Sequence, residues 1–224
     1  MKILAINSVG PACEAAVLSA GGILSCISEP MQRGHDVRLP AVVKASLAGA
    51  AQSFGDMDRI AVVIGPGSFT GVRVGVAFAR GLGLALDRDV VGVTSLEAAM
   101  PADDLSGRWI GVLPAKKRLP DLSWWTQVFE EGVALDEPQE TAQENLGKLL
   151  DQAKGVFGDI ASLPELPSDS ALMRVETTVS VEQAARFAAA ITFPHQHPPR
   201  PAYVRDPDAV PAASLLQKNA DGIS

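Results

Sequence analysis

At 224 residues the chain has room for one large domain or two small ones. A formal net charge of -7 at pH 7 argues against tight nucleic-acid binding by this chain alone, because neutralising phosphates takes a basic surface. A complex whose basic surface lies elsewhere stays open. Hydrophobic residues at 47% and charged residues at 20% are the proportions of a soluble globular protein. No apolar run reaches membrane-spanning length without glycine or charge, and no signal peptide opens the chain. The two cysteines, Cys13 and Cys26, lack metal-ligand spacing and read as reduced thiols of a cytoplasmic protein.

Lys2 to Ile6 reads as a strand, Asn7-Ser8-Val9-Gly10-Pro11 as a turn, Cys13 to Leu18 as a second strand, Gly21-Gly22 as a hairpin turn and Ile23 to Ser28 as a third strand. A helix is expected from His35-Asp36, with Asp36 as its N-cap, to about Phe54, where Gly55 stops it. Pro40 falls near its first turn, and Val43, Leu47 and Ala50 or Ala51 make one apolar face. Ile60 to Ile64 is a short, continuous apolar run rich in β-branched residues, the pattern of a buried strand. After the Gly65-Pro66-Gly67-Ser68 turn a helix runs from about Thr70 to Leu86. A strand at Val90 to Val93 and a short helix from Thr94 or Ser95 to Met100 complete a βββαβαβ order. That order gives a mixed sheet with helices on its faces.

The strand, glycine turn and helix between Arg59 and Leu86 organise the rest. Gly65 and Gly67 permit a backbone that side chains would block. Amides can then converge before the helix N-terminus, so Gly65, Gly67 and Ser68 are the candidates for holding a phosphate. Helix capping is the plainer role of Ser68, and the Lys-Ser/Thr ending of a Walker A loop is missing. Gly71, Gly75, Ala79 and Gly83 recur every fourth residue as one small-residue ridge. Each interior glycine costs roughly 1 kcal/mol against alanine, which close packing must offset. Val72, Val74, Val76, Phe78, Leu82, Leu84 and Leu86 cover most of the remaining surface, with Arg73 and Arg80 on the one polar edge. Such a helix is either the core helix of its own domain or carries an apolar face completed by another chain.

Pro101 to Gly107 is a polar connection and the expected boundary between residues 1–100 and 101–206. Trp109 to Leu113 and Trp124 to Phe129 read as strands, the latter placing Trp124 and Trp125 on opposite faces. Thr141-Ala-Gln-Glu144 is a capping box expected to open a helix to about Lys154. Ser180-Val-Glu-Gln183 is another, opening a helix to about Ile191. Val156 to Ile160 is an expected strand, Leu163 to Ser170 a loop, Pro194 to Pro201 irregular, and residues 207–224 a tail with little to bury.

Few residues suggest chemistry. The histidines are His35, His195 and His197. His195-Gln196-His197, among prolines, reads as a solvated loop, and His35 as a cap, a surface contact or an interface residue. Asp56 and Asp58 read as turn residues rather than paired acids, Glu97 as a charge complementing a helix N-terminus, and Lys116-Lys117-Arg118 as a solvated run.

The string Gly65-Pro66-Gly67-Ser68-Phe69-Thr70-Gly71-Val72-Arg73, then Gly75, and Gly92-Val93-Thr94-Ser95-Leu96-Glu97-Ala98 resemble the TsaB (YeaZ-like) family. So do Ile3-Leu4-Ala5-Ile6, His35 with Leu39-Pro40, and Pro201-Ala202-Tyr203-Val204-Arg205. The resemblance implies an actin-like ATPase (ribonuclease H-like) α/β fold of two subdomains, the second reduced, covering 1–100 and 101–206. It implies a non-catalytic, cofactor-free subunit of the bacterial complex that makes threonylcarbamoyladenosine at the adenosine following the anticodon of tRNA. The catalytic partner would be TsaD-like. A TsaE-like ATPase would dock on the pair, tRNA would be met only through the complex, and the chain alone would form a homodimer. His35, Val43, Leu47, Gly71, Val72, Gly75, Val76, Ala79 and Arg80 are the expected interface. The family was once catalogued with glycoproteases, a label not carried over as an activity. Two departures bear on chemistry. Asn7-Ser8-Val9 stands where the family has Asp-Thr-Ser, and Pro114-Ala115-Lys116-Lys117 where it has Asp-Ala-Arg-Arg. The alternative, an autonomous actin-like small-molecule kinase or metallopeptidase-like hydrolase, needs a carboxylate-held divalent metal, which Asn7 disfavours.

Overall fold

A computed structural model describes residues 1–102, 105–165 and 171–202. The Tyr203-Val204-Arg205 part of the closing motif, the expected 207–224 tail and part of the 163–170 loop lie outside the described residues. The first sheet has five strands: β1 (Ile3–Asn7), β2 (Ala12–Ser19), β3 (Gly22–Pro30), β4 (Arg59–Val63) and β5 (Asp89–Val93). Their order is β3-β2-β1-β4-β5. β2 runs antiparallel to both β1 and β3, while β1, β4 and β5 are parallel. β1 is buried at every position, which is why its sequence is apolar without alternation.

Helix α1 (His35–Gly49) packs on β2 and β3, and α2 (Phe69–Leu86) packs beside it on β4 and β5. Taken alone, α2 is long and apolar enough to cross a membrane. Here it lays its glycine ridge on the sheet and turns Arg73 and Arg80 outward. Two expectations for α1 are corrected. Its N-cap is Gly34, with φ of 88°, and Asp36 lies within the first turn. It ends at Gly49 rather than Phe54, because Ala51 takes a left-handed φ of 52° and breaks the spiral. The short 3-10 turn Phe54–Asp56 that follows is closed by a capping box between Ser53 and Asp56.

The second sheet contains β6 (Arg108–Lys116), β7 (Ser123–Glu130), β8 (Val133–Ala134), β9 (Gln139–Ala142), β10 (Gly155–Gly158) and β11 (Met173–Glu176). It repeats the first in topology. β6 is central, β7 is antiparallel to it, β8 and β9 pair β7 beyond, and β10 and β11 continue in parallel on the other side. Helix α3 (Gln143–Leu150) follows β9 as α1 follows β3. Among the described residues, the short turn Ile160–Ser162 is the one helical element between β10 and β11, where the first unit has α2. The reduction expected of the second half is, among the described residues, the lack of a counterpart to α2.

Thr141 does not cap α3. It lies in β9 opposite Trp124, and its hydroxyl is 2.7 Å from that of Thr126, so sheet pairing claims the side chain. The N-cap of α3 is Ala142, with no side-chain bond. Trp124 and Trp125 do divide between faces. Trp124 joins Ile110, Val128 and Leu146 under α3, and Trp125 packs near Phe129 and Phe157 on the side that meets Leu96 and Ala99 of the first unit.

Helix α4 (Val181–Ala190) returns to the first sheet. Ser180 caps it by accepting from Gln183 N, as the sequence predicts. Expected within the second subdomain, it packs instead on β1, β2 and β4, burying Val181, Ala184, Ala185 and Ala188 in the first core. Arg59, at the start of β4, holds the far end of α4 by donating from Nη1 to the carbonyls of Ala188 and Ile191. Helix C-terminal carbonyls otherwise lack partners.

Candidate functional site

The glycine turn is spent on its own chain. The Ser68 amide donates to Val9 O at 2.9 Å, and Ser68 Oγ caps α2 by accepting from Gly71 N at 3.2 Å. Gly65 has φ of 98°, and its carbonyl accepts from Ser95 N at 2.7 Å. Ser95 Oγ donates to Pro66 O, also at 2.7 Å. A β-carbon on Gly67 would sit 2.8 Å from Val9 O. The close approach that Gly65, Gly67 and Ser68 permit is thus to the Ser8-Val9 turn and to Ser95.

The small ridge faces the same way. A side chain on Gly71 would collide with the Ser8 carbonyl, one on Gly75 would meet Ser8 Oγ at 2.5 Å, and one on Gly83 would meet Val90. Gly71, Val72, Gly75, Val76 and Ala79 are all buried, as are Val43 and Leu47 under α1. The glycine cost is offset by strand ends of the same domain, which answers the choice left open by the sequence. Within the expected interface set only Arg80 is exposed, and Val76 reaches the surface only at the floor of a shallow pocket beside Arg73, Ala77 and Arg80. His35, expected as a cap or surface contact, is the first residue of α1 and is 7% exposed, its Nε2 buried without a partner.

The outward faces of α1 and α2 form a different surface. On α1, Val37 (75% exposed), Ala41, Ala45 and Ala48 recur at helical spacing. On α2, Arg73, Ala77, Arg80, Gly81 and Leu84 do so, with Leu84 88% exposed. Arg73 stacks on the Phe69 ring, 3.7 Å from its centre. Beyond Arg80 and Leu84 an open groove of about 1010 Å³ carries Asp58, Asp87 and Asp89. The helices are contiguous, the face mixes small and apolar side chains with the charges of Arg73 and Arg80, and nothing within the described chain covers it.

At the C-terminal end of β1, Asn7 is buried and fully engaged. Its Nδ2 donates to Glu14 Oε2 at 2.7 Å, and its Oδ1 accepts from Val9 N at 3.1 Å. An aspartate there could not donate to Glu14. Among the described residues no three His, Cys, Asp or Glu side chains gather as metal ligands. Pro114 sits at a bulge in β6, where a residue without an amide proton is tolerated.

Between the sheets is a cleft of about 530 Å³, lined in part by Thr94, Glu97, Gln127, Glu137 and His197. Thr94 and Glu97 form a reciprocal capping box: Thr94 N donates to Glu97 Oε2 at 2.7 Å, and Glu97 N to Thr94 Oγ1 at 3.0 Å. Burial pushes the Glu97 carboxyl up to about 7 against the two bonds from Thr94, which act in the other direction. Desolvation lowers His197. His197 is half-buried, edge-on to Phe187, with its carbonyl accepting from Gly92 N at 2.9 Å, so it is not the solvated loop residue expected. The Thr-x-x-Glu spacing was open to reading as a capping box. Nothing in the sequence pointed to Gln127 as its neighbour.

Two sheets of order 3-2-1-4-5, each with its second strand antiparallel, define the actin-like ATPase fold. The sequence profile of the family described as TsaD, tRNA N6-adenosine threonylcarbamoyltransferase, matches residues 17–110. An uncharacterised protein of Mycobacterium tuberculosis is 32% identical over 94% of this chain and 95% of its own length. The Haemophilus influenzae tRNA threonylcarbamoyladenosine biosynthesis protein TsaB is 33% identical over 61% of this chain and 57% of its own. The solved structure of YeaZ from Pseudomonas aeruginosa superposes with a TM-score of 0.65 at 24% identity, covering 84% of this chain and 92% of that one. The chain is thus similar along nearly its whole length to an uncharacterised protein, and over part of its length to proteins named TsaB.

Proposed function

We propose that the chain serves tRNA threonylcarbamoyladenosine biosynthesis as an accessory subunit, pairing with a TsaD-like catalytic subunit through the outward face of α1 and α2. Similarity to relatives named as TsaB biosynthesis proteins supports the pathway, and the observation that carries the pairing is the two-helix face, uncovered among the described residues, centred on Ala41, Ala45, Ala77 and Leu84. Small side chains let helices of a partner approach closely, and apolar area removed from water contributes roughly 25 cal/mol per Å². The buried ridge acts one step back: Gly71, Gly75 and Ala79 hold α2 tight on the sheet and so fix the face that α2 presents. Gly65, Gly67 and Ser68 serve the same end. In this reading the chain alone pairs with itself through that face, and a TsaE-like ATPase docks on the mixed pair. The acidic chain meets tRNA only inside the complex. Its two free thiols suit a cytoplasmic location.

Size-exclusion chromatography with light scattering, on the chain alone and mixed with the same organism's TsaD-like protein, tests this. A one-to-one heterodimer replacing a homodimer is the expected result. A chain that stays unchanged in the presence of that partner overturns the proposal.

A further inference from the structure

The cleft between the sheets is crossed by a buried relay. Thr94, at the end of β5, donates from Oγ1 to Gln127 Oε1 of β7 at 2.8 Å. Gln127 Nε2 passes on to the Asp136 carbonyl at 2.9 Å, and Asp136 Oδ1 accepts from Val128 N at 2.9 Å. Thr94, Glu97 and Gln127 are each at most 5% exposed. Polar groups so buried are held by their partners, because leaving one unmade costs more than making it gains. Two carboxylates then look into the same cleft from opposite units: Glu97 from the first and the exposed Glu137 from the segment between β8 and β9. Among the described residues neither forms an ion pair.

We propose that this relay is the hinge pin between the two sheets and that the charge on Glu97 sets how far the cleft opens, wide when Glu97 is ionised and closed when it is protonated. A protonated carboxyl still accepts from Thr94 N through its carbonyl oxygen, so the pin persists in both states. What changes is the charge on Glu97: burial disfavours the ionised carboxylate, so its ionisation favours an opening that lets water in, and repulsion from the exposed Glu137 adds a smaller push. The other charged or titratable groups on the cleft are Asp136, engaged by Val128 N, together with His197 and Arg200 on the segment after α4. Helix α4 packs on the Glu97 turn with Val181 and alanines, while its Glu182 and Arg186 pair with each other at 3.7 Å on the surface.

The test is the distance between spin labels at Leu24→Cys in β3 and Val133→Cys in β8, both exposed, in a Cys26→Ser background. The mean distance is expected to lengthen as pH rises from 5.5 to 8.5, with a midpoint near 7. Glu97→Gln, which keeps the capping geometry, is expected to hold the short distance at every pH. Glu137→Gln, on the surface and harmless to folding, is expected to shrink the change. A wild-type distance that ignores pH overturns the proposal, and so does a response that survives both substitutions.

Discussion

Ser8 and Gly71 grip each other twice. Ser8 Oγ donates to the Gly71 carbonyl at 2.8 Å, and the Ser8 carbonyl fills the space where a side chain on Gly71 would begin. The first turn of α2 is thereby fixed to the β1–β2 turn by one side-chain hydrogen bond and one backbone contact. The obstacle to a side chain on Gly71 is the Ser8 backbone carbonyl, not a flexible side-chain tip that could give way.

Gly71→Ala is therefore expected to destabilise the protein by about 2 kcal/mol or more, through forced backbone displacement. Gly147→Ala, in the exposed middle of α3 where nothing lies within 4 Å, is expected to stabilise by about 0.5–1 kcal/mol. Urea unfolding of both variants checks the contrast; equal effects would contradict the packing described.

Glu97 makes stability depend on pH with a defined sign. Its folded value of about 7 lies above the ordinary 4.5, so between these values the native state holds a proton that the unfolded chain has released. That contribution is complete below about pH 4.5 and is lost as pH rises through 7, an effect on the order of 3 kcal/mol. Glu97→Gln is expected to flatten the curve across this window and to be the more stable protein at pH 8, as thermal unfolding at several pH values would show.

Arg59→Met should loosen α4 without creating a void, since the methionine stem replaces the arginine stem. Losing the bonds to the Ala188 and Ile191 carbonyls is expected to cost about 1–3 kcal/mol. Hydrogen exchange should rise first in residues 181–190 and later in β4.

The pairing face separates two kinds of substitution. Leu84→Glu, at a site 88% exposed, is expected to leave the melting temperature nearly unchanged and to abolish pairing in light scattering. Gly75→Leu is expected to unfold the chain, because the added side chain meets Ser8 Oγ rather than a partner. Intact pairing by a folded Leu84→Glu variant would move the interface elsewhere.

Much of the first unit was legible because local signals agreed. The β-branched run at Ile60, the glycine turn and the cap at Ser68 all pointed to strand, turn and helix, and the chain follows them. The orientation of α2 was not legible. A fourfold spacing of small residues says that something comes close, but the Ser8 carbonyl that does so lies sixty-three residues away in sequence. Short β8, β9 and β11 escaped because two to four residues carry too little periodicity to register. Thr141 shows the same difficulty in reverse: its local pattern suits a cap, and a cross-strand partner wins. The interdomain relay depends on Gln127, a residue whose meaning comes only from what stands opposite.

The return of α4 gives the protein an order of assembly. One face of the first sheet waits for Val181, Ala184, Ala185 and Ala188, which the ribosome delivers after the whole second sheet. A nascent chain of the first hundred residues therefore exposes the apolar side of β1 and β4, a state prone to aggregation. The unit that leads the sequence is the last to be sealed.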